Sequence, residues 1–288
     1  MYIDLLGKVR QKVNLHTHTT LSDGRKTPDE VIARYRENGY DAIALTDHWV
    51  RGECHSTDGM TVLAGAEYNI GKGDSAKGVY HILGLGTASD VSADHASGAQ
   101  EVIDAIHAVG GLAVLAHPAW SLNTPGDILA LRDVDATEIY NSVSGVHFSR
   151  RPDSGLIVDM LASRGLYLPL VADDDAHYYD NDACISWIMA EAEDNSQKAI
   201  LDAVKSGKFY ATQGPEVHMW LEGDEVVVKC SPSKEIVFFS NLVWCERVLE
   251  GDALTEARYK IRPDETFLRC EVVDRDGKRA WTNIIPLK

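Results

Sequence analysis

The sequence is short of basic residues and has no long apolar run. Its 288 residues include 28 lysines and arginines against 44 acidic residues, which gives a formal net charge of −16. A surface this acidic repels phosphate backbones and anionic membranes. No segment approaches the roughly 18 apolar residues of a membrane helix, and the N-terminus lacks the basic and then apolar order of a signal peptide. We therefore expect neither long nucleic acid nor a membrane as a partner.

Cysteines are few and unpatterned. They are odd in number and form no C-x-x-C pair, and they stand at Cys54, Cys184, Cys230, Cys245 and Cys270. This usage argues against a disulfide framework or a zinc ribbon, so we expect a reducing, cytoplasmic location. With 44% hydrophobic and 25% charged residues, the composition is that of an ordinary globular protein. It leaves the oligomeric state open.

The first two-thirds of the chain alternate short apolar runs with amphipathic stretches, which is typical of repeated βα units. One helix start is clear: Thr27 can cap the helix, Pro28 suits its first turn and Glu30 can close a capping box. Further helices are predicted at 99–109, 154–163 and 197–204. Strands are predicted at 13–15, 42–45, 62–66, 79–85, 112–116, 136–140, 167–172 and 185–190. We assign residues 1–214 to an α/β barrel domain.

Helical periodicity stops near residue 214. Short alternating runs separated by turn signals take over from there to the C-terminus. About seven strands in about 75 residues suit a small β-sandwich. We therefore predict a second domain, a C-terminal β-sandwich module at 215–288.

Histidines and carboxylates fall repeatedly where predicted strands end. In a parallel α/β barrel the functional side chains gather there, on one face. His16 and His18 are alternate residues of an extended segment, so both imidazoles can point to one ion. The same spacing recurs at Asp175 and His177. The complete set of polar candidates is His16, His18, Asp23, His48, Glu67, His81, His117, Asp175 and His177.

Six histidines and three carboxylates exceed what one tetrahedral zinc ion binds. They suit a cluster of about two or three divalent ions, with carboxylates such as Glu67 and Asp175 bridging. Imidazole and carboxylate ligands are typical of sites for Mn, Fe or Zn. His81 is an exception to the pattern, because it lies inside its apolar run rather than at the end.

The motif His16-Thr-His-Thr-Thr-Leu-Ser-Asp-Gly24 resembles the polymerase-and-histidinol-phosphatase (PHP) superfamily of metal-dependent phosphoesterases. The resemblance continues in the family's order over most of residues 12–213, through Thr46-Asp-His48, Glu67, His81, Ala116-His-Pro118 and Asp175-Ala-His177. It implies a distorted (β/α)7 barrel with a trinuclear metal centre, for which the nine residues above, His81 included, are the ligands. The chain departs from many relatives at Asp173-Asp174, where those have Gly-Ser.

A second resemblance concerns the C-terminal part. The stretch Gly207-Lys-Phe-Tyr-Ala-Thr-Gln-Gly-Pro215 precedes a β module that ends in Ala280-Trp-Thr-Asn283. Together they resemble a two-domain bacterial branch of the superfamily.

These features lead to a hypothesis of phosphate-ester hydrolysis by in-line attack of a metal-bound hydroxide. Glu67 and Asp175 would be the catalytic residues that bridge metals and orient the nucleophile. The expected substrate is a small phosphorylated molecule such as a nucleotide or a sugar phosphate. Three residues are candidates for substrate binding. Arg25 directly follows the Ser-Asp-Gly loop at the barrel mouth, Arg150 precedes a helix on the same predicted face, and Asn141 lies at the end of a strand.

Two other functions stay open. One is an exonuclease that trims short oligonucleotides, although no basic stripe with interleaved aromatics is present. The other is a non-catalytic, metal-containing protein that binds a ligand. The sequence does not decide between phosphomonoesters and phosphodiesters.

Overall fold

The computed structural model describes residues 2–244 and 246–287. Its first helix, α1 (Pro28–Glu37), begins as the sequence predicts. The Thr27 hydroxyl accepts a hydrogen bond from the Glu30 amide, and the Glu30 carboxylate accepts one from the Thr27 amide. Such caps typically contribute about 1 kcal/mol. The helix buries Val31 and Tyr35 against its sheet.

The other helices also match the sequence where they are long. In chain order they are α2 (Ala99–Ala108), α3 (Pro118–Ser121), α4 (Pro125–Leu129), α5 (Ser142–Val146), α6 (Gly155–Ala162) and α7 (Gln197–Lys205). The predictions at 99–109, 154–163 and 197–204 are confirmed by α2, α6 and α7. The short helices α3 to α5 were not predicted, because four or five residues are too few to show a period. No helix in the described residues is long and apolar enough to cross a membrane.

The strands come in two groups along the chain. The first group is β1 (Tyr2–Ile3), β2 (Val9–Asn14), β3 (Ala42–Ala44), β4 (His55–Thr57), β5 (Met60–Leu63), β6 (Gly65–Ile70), β7 (Tyr80–Leu85), β8 (Leu112–Leu115), β9 (Ala136–Asn141) and β10 (Leu170–Asp173). The second group is β11 (Trp187–Glu191), β12 (Phe209–Thr212), β13 (Val217–Glu222), β14 (Glu225–Phe239), β15 (Val248–Lys260), β16 (Phe267–Val273), β17 (Arg279–Trp281) and β18 (Ile285–Pro286).

These strands form two open sheets. The smaller sheet has the order β10-β9-β8-β7-β6, and the larger runs β13-β14-β16-β17-β12-β11-β2-β3-β5-β4, with β1, β15 and β18 attached to β2, β14 and β16. The neighbours β2, β3 and β5 are parallel, as are β8, β9 and β10. β7 runs antiparallel to both β6 and β8.

The predicted distorted (β/α)7 barrel is therefore not confirmed: among the described residues no sheet closes on itself. Isolated bridges connect the two sheets: Thr17 pairs with Ala176 at one edge, and His48 pairs with Glu67 and Gly52 with Gly65 at the other. A regular barrel needs parallel βα units throughout, and the antiparallel β7 interrupts that repeat. The fold is a mixed α/β structure whose two sheets face each other across a buried core.

The predicted separate C-terminal β-sandwich is not confirmed either. β17 pairs with β12, so the C-terminal strands continue the larger sheet rather than form a sandwich apart from it. Trp281 at the end of β17 is fully buried in the core between the two sheets and stacks on Tyr140, with ring centroids 5.3 Å apart.

A buried ion pair joins the same C-terminal strands to the helical layer. The guanidinium of Arg269 in β16 donates to both carboxylate oxygens of Asp159 in α6, at 2.7 and 2.8 Å. The thiols of Cys54, Cys184, Cys230 and Cys270 are free. Cys245 lies outside the described residues.

Candidate metal centre

Three strand ends bring the first ligands together. His16 and His18 follow β2, His48 follows β3, and Asp175 and His177 follow β10. The segments after β2 and β10 run parallel, because the His18 amide donates to the Ala176 carbonyl (3.0 Å) and the Asp175 amide to the His16 carbonyl (2.8 Å). The rings of His18 and His177 consequently stack, with centroids 4.1 Å apart.

The antiparallel strand β7 explains the position of His81. Residue 81 is the second residue of β7, and this strand runs against β8, so its beginning lies beside the end of β8. His117 follows β8 there, and the two rings lie 4.9 Å apart. His81 is thus at the same face as the other candidates, although it stands at the start of a strand rather than at its end.

Glu67 is at the centre of the cluster. Its side chain is 1% exposed. One oxygen, Oε2, lies 3.0–3.3 Å from ring nitrogens of His16, His18 and His48. The other oxygen, Oε1, lies 2.8 Å from Nδ1 of His81 and 3.3 Å from Nε2 of His117. One carboxylate therefore contacts imidazoles from several different elements.

Asp175 is the second shared carboxylate. Its Oδ1 lies 3.1 Å from Nε2 of both His16 and His18, and 3.5 Å from Nδ1 of His177. Its backbone has a φ of 51°, in the left-handed region that few residues other than glycine adopt. The surrounding structure holds this strained conformation and so aims the carboxylate into the cluster.

Asp23 lies at the outer side of the cluster. Its side chain is half exposed and lies 3.4 Å from Nδ1 of His18, 3.6 Å from Nε2 of His48 and 3.5 Å from Nε2 of His177. All nine predicted ligands are accordingly brought together by the fold.

The nine side chains divide into three adjoining donor groups. Within each group the ligand atoms all lie within 4.8 Å of one another. The groups are His18, Asp23, His48 and His177; His16, His18, Glu67 and Asp175; and Glu67, His81 and His117. Because His18 and Glu67 each belong to two groups, the groups adjoin.

These donors fit divalent metal ions. Tetrahedral metal–ligand bonds of about 2.1 Å place ligand atoms roughly 3.4 Å apart, close to the spacing around Glu67. The buried atoms Nδ1 of His48 and Oδ1 of Asp175 make no hydrogen bond within the described residues. Their contacts at 3.1–3.2 Å lack hydrogen-bond geometry, as expected of atoms that point at a common centre. Buried groups without partners require such an explanation.

The electrostatics of the cluster also favour cations. Burial by itself would lower the pKa of His16, but the carboxylates of Asp175, Glu67 and Glu138 outweigh it and raise that pKa well above its usual value. Burial would raise the pKa of Glu67, yet the imidazoles, first that of His16, lower it well below its usual range. The concentrated negative charge therefore needs protons or metal ions as counter-charge.

Asp173 and Asp174, the departure from Gly-Ser, are both buried, and neither belongs to a donor group. Asp174 accepts hydrogen bonds from the amides of Cys184, Ile185 and Ser186 and from the Tyr35 hydroxyl. Burial outweighs these donors and raises the pKa of Asp174 to about 6. Its role in the structure is to fix the 184–186 segment beside α1.

The three predicted substrate-binding residues lie in different environments. Arg25 is exposed and its guanidinium stacks on Tyr178 at 4.4 Å, next to His177. Arg150 is exposed and donates to the Gly145 carbonyl at 3.0 Å. Asn141 is fully buried behind the ligands, where its amide nitrogen contacts a carboxylate oxygen of Asp175 at 3.1 Å. None of the three is among the residues that line the cavity described next.

A cavity of about 210 Å³ opens onto the cluster. Several ligands form one part of its wall. Trp120 and Phe148 form another part, with the Trp120 ring centroid 4.9 Å from that of His117 and 6.2 Å from that of Phe148. Sequence reasoning missed both aromatic residues, because they lie in short loops and helices whose position depends on the fold.

Sequence reasoning also missed Glu138. This residue lies in the middle of β9, is fully buried and contacts Nδ1 of His16 at 2.7 Å. A signal was available: an acidic residue inside an otherwise apolar parallel strand is costly unless it is paired. Asp47, for which the sequence left open a role in orienting His48 or in bonding the local backbone, accepts hydrogen bonds from Thr19 and Ser22 and so holds the loop between His18 and Asp23.

A fourth cluster of possible ligands, Asp4, Glu216 and His218, lies outside this centre. Its carboxylates already have protein partners. Asp4 pairs with Arg10 at 2.7 Å, and Glu216 accepts from the Leu5 amide at 2.6 Å and contacts His218 at 2.6 Å. We interpret this cluster as a hydrogen-bond network that attaches the N-terminal segment to the C-terminal strands.

Comparison with known proteins gives a partial match in sequence. Residues 14–123 match the model of the family described as PHP domain. This range contains all the candidate ligands except Asp175 and His177. No curated protein matches the chain.

Comparison with solved structures gives matches that include one over nearly the whole length of the chain. A two-domain protein from Bacteroides vulgatus, described as containing a predicted PHP-like metal-dependent phosphoesterase, aligns with a TM-score of 0.60. The two chains are 14% identical, and the alignment covers 99% of this chain and 98% of that one. They share the fold. An amidohydrolase from Chromobacterium violaceum, solved with sulfate and no metal, aligns with a TM-score of 0.42 at 18% identity over 59% of this chain and 89% of that one.

Proposed function

Because residues 14–123 match the model of the family described as PHP domain, we propose that this protein is a metal-dependent phosphoesterase that hydrolyses a small phosphate ester. The observation that supports the proposal most is the convergence of six imidazoles and three carboxylates in one cluster, of which four imidazoles and all three carboxylates line one cavity. We assign the metal-ligand role to the nine residues of the three donor groups. We expect about two or three divalent ions, Mn, Fe or Zn, to bind there.

Bound divalent ions would lower the pKa of a coordinated water from about 15.7 toward 7 and neutralise charge on phosphate oxygens. The chain's own residues hold the reacting groups in place. Glu67 contacts histidines of all three donor groups, and Asp175 contacts His16 of one group and His177 of another. We therefore assign these two carboxylates the bridging and orienting roles. Both side chains are almost completely buried, and this rigidity limits the freedom of the attacking water.

The cavity supports a small substrate. Its volume of about 210 Å³ suits a phosphoryl group with part of a small organic substituent, which would lie against Trp120 and Phe148. A nucleotide or a sugar phosphate meets this description. Arg25, beside His177 at the rim, and Arg150 remain proposed contacts for the part of the substrate outside the cavity. For Asn141 we propose a positioning role behind Asp175.

Two further properties are kept as proposals. We propose a cytoplasmic location, which the cysteine usage supports, and a division into two domains near residue 214. The alternative functions are trimming of short oligonucleotides and ligand binding without catalysis. The net charge of −16 weighs against a long polymer.

The test is a metal and activity assay on protein purified without chelator. Bound metals are measured by mass spectrometry, and phosphate release is compared for mononucleotides, sugar phosphates and labelled oligonucleotides. We expect bound Mn, Fe or Zn and release from a small ester. The double variant His16→Ala/His18→Ala should lose both, whereas His55→Ala, an exposed histidine, should keep both.

Each of the other outcomes contradicts a definite part of the proposal. Absence of metal after loading with all three ions would refute the metal centre. Full metal with no hydrolysis of any ester would favour a binding protein, and hydrolysis confined to oligonucleotides would favour the exonuclease. Hydrolysis unchanged in the double variant would refute the assignment of the site.

A further inference from the structure

We propose that Glu138 is a positioning residue that fixes the tautomer of His16 and the placement of two further ligands, His117 and Asp175. The inference rests on the proposed metal-dependent function. Glu138 itself belongs to none of the three donor groups. It lies one layer behind them, in β9.

The contacts of Glu138 are short and involve both carboxylate oxygens. Oε1 lies 2.7 Å from Nδ1 of His16. Oε2 accepts from the backbone amide of His117 at 2.7 Å and from the side-chain amide of Asn141 at 2.7 Å. The residue is fully buried, so water does not compete for these bonds.

The first contact decides which ring nitrogen of His16 can bind a metal. A carboxylate can only accept, so Nδ1 of His16 must carry a proton. The neutral imidazole then has its lone pair on Nε2. That atom points into the donor group, 3.1 Å from Asp175 and 3.3 Å from Glu67.

The second oxygen of Glu138, Oε2, helps to position the two other ligands, His117 and Asp175. The amide of His117 that it holds belongs to a residue with a φ of 28°, an unfavourable value for a residue with a side chain. Asn141 connects Glu138 to Asp175, because its side-chain amide nitrogen contacts both Oε2 of Glu138 and Oδ2 of Asp175. One carboxylate thus connects ligands that follow β2, β8 and β10.

A purely structural role does not account for this arrangement. β9 is a parallel strand whose neighbouring residues Thr137 and Ile139 are buried, and an apolar residue would fit such a strand without the desolvation penalty of a buried charge. Hydrogen bonds from the protein to metal-binding histidines typically change metal affinity by about 10- to 100-fold. We therefore attribute the buried charge of Glu138 to its hydrogen bonds with the ligands.

The test measures zinc affinity of the full chain by competition with a chromophoric chelator. Glu138→Gln keeps the shape but places an amide group among three donors, so we expect roughly 10- to 100-fold weaker Zn²⁺ binding. Glu138→Asp keeps the charge but withdraws the oxygens from His16, and we expect it to weaken binding as well. The matched control is Asp135→Asn. Asp135 makes the same kind of pair, 2.7 Å from Nε2 of His107 and 2.8 Å from the Ala113 amide, but it is not part of the cluster.

A spectroscopic measurement separates orientation from the loss of charge. In the zinc-loaded, ¹⁵N-histidine-labelled protein we expect a strongly deshielded Nδ1 proton of His16, assigned by its disappearance in His16→Ala. This signal should move upfield in Glu138→Gln and in Glu138→Asp, and it should be unchanged in Asp135→Asn.

The possible failures can be distinguished. If the wild-type chain binds no zinc, the proposed function fails. If the wild type binds zinc and the folded variants at position 138 keep its affinity and its proton signal, only the inference about Glu138 is overturned. If Glu138→Gln does not fold, Glu138→Asp alone decides: unchanged affinity and signal refute the inference, and weaker binding with a shifted signal supports it.

Discussion

The ion pair between Arg269 and Asp159 should contribute strongly to the stability of the protein. Arg269 is 1% exposed and makes two parallel hydrogen bonds to Asp159, whose side chain is 20% exposed. The variant Asp159→Ala removes both hydrogen bonds and leaves the buried guanidinium with only a longer contact to a carboxylate, that of Glu271 at 3.8 Å. Breaking one partner of such a pair costs about 3–5 kcal/mol, and we expect a loss near the lower end because Asp159 is partly exposed.

This loss should be easy to measure. Against a typical total of about 5–15 kcal/mol, a loss of about 3 kcal/mol corresponds to a melting temperature lower by roughly 6–12 °C. Urea unfolding followed by circular dichroism gives the free energy directly. The control is Glu222→Ala, which removes a partner of the exposed Arg258 and should leave stability close to that of the wild type.

A second variant identifies the cause. In Asp159→Ala/Arg269→Met the buried positive charge is removed too, so much of the lost stability should return. If the free energy of unfolding of Asp159→Ala is within about 1 kcal/mol of the wild-type value, the ion pair does not stabilise the contact between α6 and the C-terminal strands as its geometry indicates.

Three further predictions concern the site and the N-terminal network. Trp120→Ala should raise KM for esters with a planar substituent by about tenfold, because roughly 1 kcal/mol or more of stacking is lost. KM for glycerol phosphate, which has no planar group, should change little. Equal effects on both substrates would contradict the proposal that Trp120 contacts the substituent. Asp47→Asn should weaken zinc binding severalfold by loosening the 19–22 loop, and an unchanged chelator titration would contradict this. Hydrogen bonds from a histidine and a tyrosine outweigh burial and lower the pKa of Glu216. Its contribution to stability is therefore present above about pH 4.5 and lost as the pH falls further. In Glu216→Gln the free energy of unfolding should therefore fall less steeply as the pH drops below about 4.5. An unchanged pH dependence would refute the stabilising role of the Glu216 carboxylate.

Much of the candidate site could be predicted from local sequence patterns. Alternate residues of an extended segment share a face, which is why the pairs His16 with His18 and Asp175 with His177 both point into the cluster. Strand ends that share one face then bring His48 and His117 near them. The long helices were predictable for a similar reason, since α2 and α7 carry their own period.

Other parts depended on pairing between distant segments. His81 joins the cluster because β7 is antiparallel, and periodicity within one strand does not reveal the direction of its neighbour. The same limitation affected the expectation of a (β/α)7 barrel. The C-terminal strands looked like an independent sandwich because strands alternate in the same way in either arrangement. Their attachment to β12 depends on hydrogen bonds to a segment about 70 residues away.

The sequence by itself determined which residue types could bind metal ions and at which strand ends they stand, because those properties depend on neighbouring residues. Only the tertiary structure decided that Glu138 lies behind His16, that Asn141 contacts Asp175, and that Arg25 and Arg150 stay outside the cavity lining. Those contacts join strands and loops far apart in the chain. Their energies come from burial and from pairing with groups that local patterns do not specify.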